Sequence, residues 1–258
     1  MTSPTKAGIG AWLLKCNPNR WDLPRFIRDG HQTIDRWTIN LSSPRLAVGQ
    51  PVLFWVTGPA KATPTPGLWG AGVITGHDLS VHSCEEHYWL NPPSDPRSSR
   101  WIAVDIALFD SPIPRPVLAE DPRLHDLQIF RAPIAGNPQP VTAKQLKVIE
   151  RYLTPSDTAT YGPAAHARAI VINEYRRRGW SVERAPDAGW DLTCEHRSQV
   201  LRIAVRSADQ ITIGRAEVTA ANDPHWRLVL VNDGVLTEFD GADALKQAQP
   251  VTYEIRLR

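Results

Sequence analysis

The sequence predicts an α+β chain of two domains. Three observations carry this. Residues 8–153 are dense in short apolar runs set between turn residues, with few helical patterns among them. Residues 166–258 open on a helical pattern and continue as strands around one further helix. Between them, "TPSDTATYGPAA" at 154–165 concentrates Thr, Ser, Pro and Gly and reads as a linker.

Taken in order, "GIGAWLLKC", "QPVLFWVTG", "GLWGAGVITG" and "RWIAVDIALFD" each read as a strand bounded by turn residues. "DLPRFIRDG" reads as a short helix, with Asp22 as its cap and Pro24 in its first turn. The connections "GPAKATPTPG" and "NPPSDPRSS" are long and rich in proline. A handful of twisted strands with short flanking helices suggests a small, partly open β-barrel. "TAKQLKVIERYL" closes this domain as a helix: Thr142 can cap it, and Leu146, Ile149 and Leu153 recur at helical spacing. Beyond the linker, "HARAIVINEYRRRG" is a second helix stopped by Gly179. The strands "WSVERA", "WDLTCE", "VLRIAVRS", "WRLVLVN" and "VTYEIRL", with the helix "GRAEVTAAN", then form an α/β domain with a mixed sheet.

Composition bounds the function classes. A chain of 258 residues allows one large domain or two of ordinary size, and 42% hydrophobic with 22% charged residues is ordinary for a globular protein. No apolar run approaches the length of a membrane span, and "MTSPTKAGIG" lacks the pattern of a secretion signal. Three widely spaced cysteines, Cys16, Cys84 and Cys194, fit reduced thiols in a cytoplasmic protein. The net charge is +2, and only six of the 29 basic residues are lysine. Arginine suits bidentate phosphate contacts, but a GC-rich coding bias enriches it equally, so charge alone neither demands nor excludes a nucleic-acid partner. No phosphate loop, dinucleotide fingerprint or nucleophile elbow is present, so no cofactor is expected. His82, Cys84 and His87 have the spacing of half a zinc site without a second pair, so no metal is expected.

Seven of the ten tryptophans fall in residues 1–101. Trp12, Trp55, Trp69 and Trp101 lie in strands and read as core. Trp37, Trp89 and Trp21 read as loop or turn residues, where packing and a cage for a flat ligand are both open. The stretches "AWLLKCNPNRWD", "VGQPVLFWVTG", "GAGVITG" and "SSRWIAVDIALFDSPIPRPVLAEDPRLHDLQIFRAPIAGNPQPVTAKQLKVI" resemble an EVE domain. That family has a PUA-like barrel and is similar to the YTH readers of methylated adenine. The resemblance covers residues 8–153. It implies recognition of a modified base, extruded and held between aromatic walls. By position those walls are Trp37 and Trp89, with Trp21 as a third ring. Lys15, Asn17, Asp22, Asn40 and Ser42 stand beside them as candidates for the base edge, and Arg20, Arg45, Arg97 and Arg100 for phosphates. Asn17, before Pro18, reads equally as a turn residue. The segment "RWTINLSSP" replaces an arginine-rich turn of the commoner EVE pattern.

"ARAIVINEYRRRGWSVERAPDAGWDLTCE", "VLRIAVRS", "ITIGRAEVTAAN" and "WRLVLV" resemble small domains related to the PD-(D/E)xK nucleases, over residues 164–232. In that family two carboxylates hold Mg²⁺ and a lysine serves the attacking water. Here the pattern is degenerate. Asp191 remains, Ala204 stands for the second carboxylate and Arg206 for the lysine, while Glu174 and Glu217 lie nearby in sequence. The resemblance therefore implies a scaffold without cleavage, holding nucleic acid through Arg202, Arg206 and the Arg176–Arg178 run, or leaving that run as a solvated helix end. The combined expectation is a cytoplasmic reader of modified cytosine in DNA, free of membranes, serving a restriction or phage-defence effector. An active modification-dependent endonuclease and an RNA-binding PUA-like protein are the alternatives.

Overall fold

The structure is a computed structural model and describes residues 8–40, 45–77, 87–91, 100–185, 188–207 and 211–248. The chain divides into two compact units between Ala169 and Ile170.

Alternation along the strands builds the first unit. In β1 (Ile9–Cys16), Ala11 and Leu13 enter one hydrophobic cluster, and Trp12, Leu14 and Cys16 enter another. Successive side chains of a strand point to opposite faces, so one sheet feeds two cores. β3 (Pro51–Val56) does the same, with Leu53 and Trp55 on one face and Val52, Phe54 and Val56 on the other. The sheet is completed by β2 (Thr33–Ile39), β4 (Gly67–His77), β5 (Arg100–Pro114) and β6 (Gln139–Thr142), in the order β2-β5-β4-β3-β1-β6. Only β1 and β3 run parallel; the other pairs are antiparallel. Gly72 is required where β4 lies against β5, because a Cβ there would collide with the carbonyl oxygen of Asp105.

The edge strands β2 and β6 approach each other at one end. Asn40, just past β2, donates its backbone N–H to the carbonyl of Asn137 (2.8 Å), just before β6. Asn137 returns its own N–H to Asn40 Oδ1 (2.6 Å). The curled sheet is thus a partly open barrel, the α+β architecture expected for this segment.

Helix α1 (Leu23–Arg28) packs on the core of Trp12, Leu14 and Cys16, and the later helices of this unit cover the core of Ala11 and Leu13. Helix α1 is capped by Asp22, whose Oδ1 accepts the Arg25 N–H at 3.0 Å. Helices α2 (Arg115–Ala119) and α3 (Gln128–Arg131) follow β5. Helix α4 (Ala143–Ile149) is capped by Thr142, as the sequence suggested, and Gln145 completes a capping box with it. The stretch 154–165, read as a linker, contains helix α5 (Pro155–Ala159) and the start of α6 (Pro163–Arg177). Tyr161, Ala165 and Ala169 are buried in the first unit's core.

The second unit is a five-stranded sheet ordered β11-β10-β9-β8-β7. Its strands are β7 (Ser181–Arg184), β8 (Leu192–His196), β9 (Gln199–Arg206), β10 (Trp226–Asn232) and β11 (Val235–Asp240). β9 and β10 are parallel, which makes the sheet mixed. Helices α7 (Arg215–Ala220) and α8 (Gly241–Gln247) supply residues that pack with Ala204, Trp226 and Leu228. β11 and α8 escaped the sequence reading. Their signal is Asp233-Gly234, a two-residue hairpin turn with φ of 48° and 80°. The expected strand "VTYEIRL" lies outside the described residues. Among the described residues, no helix is long and apolar enough to cross a membrane.

Candidate nucleic-acid interface

A cavity of about 700 Å³ opens beside the meeting point of β2 and β6, within the range of sites for small organic groups. Lys15, Asn17, Arg20, Trp21, Trp37, Asn40 and Trp89 border it, all of them singled out from sequence. Thr38, Ile39 and Thr57, with Pro133, Ile134, Ala135 and Asn137, complete it and were not foreseen.

Trp37 belongs to strand β2 and is buried, a correction to its reading as a loop residue. Its Nε1 donates to the Lys15 carbonyl at 3.1 Å, which fixes the indole against the end of β1. Trp89 lies outside the regular strands and is half-buried. The short segment that carries it is fastened to the Arg20–Asp22 turn. Leu90 N–H donates to the Arg20 carbonyl (2.9 Å), and Asp22 N–H donates to the Tyr88 carbonyl (2.7 Å). The rings of Trp37 and Trp89 lie 6.2 Å apart and only 31° from parallel. A base between them needs about 7 Å, two van der Waals contacts. The pair as it stands is closer than that, and Trp101 backs Trp89 on its other side.

Trp21 meets Trp37 edge-on, with centroids 5.0 Å apart at 86°. It exposes none of its surface, so it backs Trp37 and offers no face of its own. On the far side, Trp101 packs edge-on against Trp89 at 6.1 Å, and the buried Arg36 guanidinium lies 4.5 Å over the Trp101 ring. Trp12, Trp55 and Trp101 are buried, as expected of strand tryptophans, while Trp69 is half-buried.

The polar rim has two kinds of member. Some groups are structurally committed. Lys15 Nζ donates to the carbonyls of Pro133 (3.0 Å) and Ala135, and burial holds its pKa below the usual lysine value. Thr57 Oγ1 donates to the Cys16 carbonyl. Asp22 caps α1 and does not border the cavity, which disfavours it as an edge reader. Others keep donors in reserve. Asn17 Oδ1 accepts the Asn19 N–H, so Asn17 does form the turn read from Pro18. Neither its side-chain amide nitrogen nor that of Asn40 donates to any described residue. An amide N–H₂ there suits the acceptors of a base edge. Arg20 is exposed at the cavity border.

Asn137 is the member that sequence reasoning missed. Its Oδ1 accepts the Lys15 N–H (3.0 Å), and its Nδ2 donates to the Thr38 carbonyl (2.9 Å). One side chain thus ties β1 to β2 under the cavity. Arg45 and Arg100 do not border the cavity, and Ser42 and Arg97 lie outside the described residues.

The EVE domain family profile matches residues 10–152, more than half of the chain. The chain belongs to the EVE domain family. The membership carries with it the reading of modified bases in nucleic acid. Two solved structures are similar to this chain over part of its length. One is a Pseudomonas putida protein determined by X-ray crystallography, 23% identical, covering 55% of this chain and 97% of its own, with a TM-score of 0.36. The other is a hypothetical protein from Leishmania major, 20% identical, covering 57% of this chain and 96% of its own, with a TM-score of 0.37. No protein of curated function matches.

Outside the EVE domain, the positions read as a degenerate nuclease pattern are charge-paired. Arg206 donates to Asp191 Oδ2 (3.0 Å) and to Glu217 Oε1. Asp191 Oδ2 also accepts the Val205 N–H at 2.7 Å. Ala204 is fully buried in the second unit's core. Glu174 lies elsewhere. Its carboxylate takes the Arg177 and Arg178 guanidiniums at 2.8 Å, and these hydrogen bonds hold its pKa down to about 2. Two members of the arginine run are therefore engaged at the end of α6, the helix-end arrangement.

Proposed function

We propose that the EVE domain binds a modified base, extruded from nucleic acid, between Trp37 and Trp89, and that the base is a modified cytosine in DNA. The observation that carries the reading is the near-parallel indole pair bordering a cavity of about 700 Å³, with the unused amide donors of Asn17 and Asn40 on its rim. Extrusion costs a few kcal/mol, and stacking on an aromatic face returns roughly 1–3 kcal/mol per base. A methyl group buried in the same slot adds about 0.8 kcal/mol, close to a fourfold preference. Cytosine is chosen on the family resemblance, since every base has the same stacking thickness and a slot between two indoles does not select among them. DNA is favoured over RNA because a nuclease-like second unit beside a base reader suits restriction or phage defence.

The second unit, on this reading, binds backbone without cutting it. Arg206 already neutralises Asp191 and Glu217, the two carboxylates that could hold a divalent cation. An arginine also cannot serve as a base near neutral pH.

Fluorescence titration of methylated, hydroxymethylated and unmodified oligonucleotides, in DNA and RNA, tests the proposal. Trp37→Ala or Trp89→Ala is expected to weaken binding of the preferred oligonucleotide roughly 5- to 100-fold. Unchanged affinity in both variants refutes the cage. Mg²⁺-dependent cleavage abolished by Asp191→Ala would establish the endonuclease instead.

A further inference from the structure

Ile134 is 98% exposed, the most exposed large apolar side chain among the described residues. It is not on a loose loop. The Ala135 N–H donates to the Ala132 carbonyl at 3.0 Å, closing a tight turn with Pro133 and Ile134 at its centre. The turn is anchored from behind at three points. Lys15 Nζ holds the carbonyls of Pro133 and Ala135, the buried Gln139 donates to the Ala132 carbonyl (3.0 Å), and Asn137 is locked to Asn40. The lysine holds the backbone of the turn on both sides of Ile134, whose side chain stands in solvent. Pro133, Ile134 and Ala135 border the same cavity as Trp37 and Trp89, with Arg20 exposed at its border.

We propose that Ile134 is a wedge that enters the base stack of a duplex at the place left by the base taken into the cavity. The inference rests on the base-reading function proposed above and adds the form of the substrate: double-stranded nucleic acid. Removing one base from a stack leaves an apolar gap between its neighbours. A rigid apolar side chain beside the receiving pocket fills that gap, as isoleucine, leucine and proline wedges do where proteins unstack base steps. A single strand has no such gap to fill, so the wedge contributes only on a duplex.

The test titrates wild type, Ile134→Ala, Ile134→Leu and Trp89→Ala with one DNA oligonucleotide carrying 5-methylcytosine, as a duplex and as a single strand. Ile134→Ala is expected to weaken duplex binding on the order of tenfold and single-strand binding much less, since Ile134 also borders the cavity. Ile134→Leu is expected to retain duplex affinity, and all Ile134 variants to melt like wild type. Duplex binding unaffected by Ile134→Ala, or equal loss on both forms, overturns the wedge. Base reading survives that result if Trp89→Ala still weakens single-strand binding. If Trp89→Ala changes neither form, or wild type binds neither, base reading fails and the wedge with it.

Discussion

Trp37 and Trp89 share a side chain and differ in freedom. Trp37 is locked by a hydrogen bond to Lys15 and by edge-on rings from Trp21 and Phe54, at 5.0 and 4.8 Å. Trp89 is half-buried, its ring contacts Trp37 and Trp101, and its segment is fastened by main-chain hydrogen bonds alone. The two alanine variants should therefore separate stability from binding. Trp37→Ala is expected to cost about 3–5 kcal/mol of folding stability. Trp89→Ala is expected to cost clearly less while losing at least as much affinity, by thermal melting and titration in parallel. Cysteine reactivity is a second outcome at this scale. Cys16 and Cys194 are buried, and burial pushes the Cys194 thiol up to about 12 and the Cys16 thiol higher still. Both should resist a thiol reagent in the native protein and react on unfolding, as read by peptide mapping. Position in sequence was enough to select Trp37 and Trp89. It did not reveal that Trp37 sits in a strand, because a single polar turn after "DRWTIN" looks the same whether the preceding residues pair or not.

At the level of elements, the Thr142 cap of α4 and the Asp22 cap of α1 were legible because their partners lie within three residues. The clamp at Asn137 was not. Its partners Lys15, Thr38 and Asn40 lie 122, 99 and 97 positions away. Only the curl of the sheet brings them together. Asn137→Ala would leave the Lys15 N–H and the Thr38 carbonyl unsatisfied, with an expected loss of about 2–3 kcal/mol in chemical denaturation. A variant as stable as wild type would show that water replaces the clamp. Lys15→Met should free the Pro133–Ala135 turn, detected as faster amide exchange at Ala135.

On the scale of the whole molecule, the second unit's ion pairs set its acid stability. The Arg177 and Arg178 hydrogen bonds lower the Glu174 pKa from 4.5 to about 2. A lowered carboxylate pKa stabilises the folded state above the unfolded value and is lost as pH falls through the folded one. Stability attributable to this residue should decline between about pH 4.5 and pH 2, and Glu174→Gln should flatten that part of the profile in acid denaturation. The sequence by itself determined most of the strands, the Asp22 and Thr142 caps, the family of residues 10–152 and the tryptophans that gather, because periodicity, turn chemistry and motif are local. Tertiary structure alone decided that Trp21 supports where Trp37 and Trp89 pair, that Arg206 is spent on Asp191 and Glu217, and that Lys15 holds the turn carrying Ile134. Each of these depends on residues far apart in the chain meeting at one place, which no local pattern encodes.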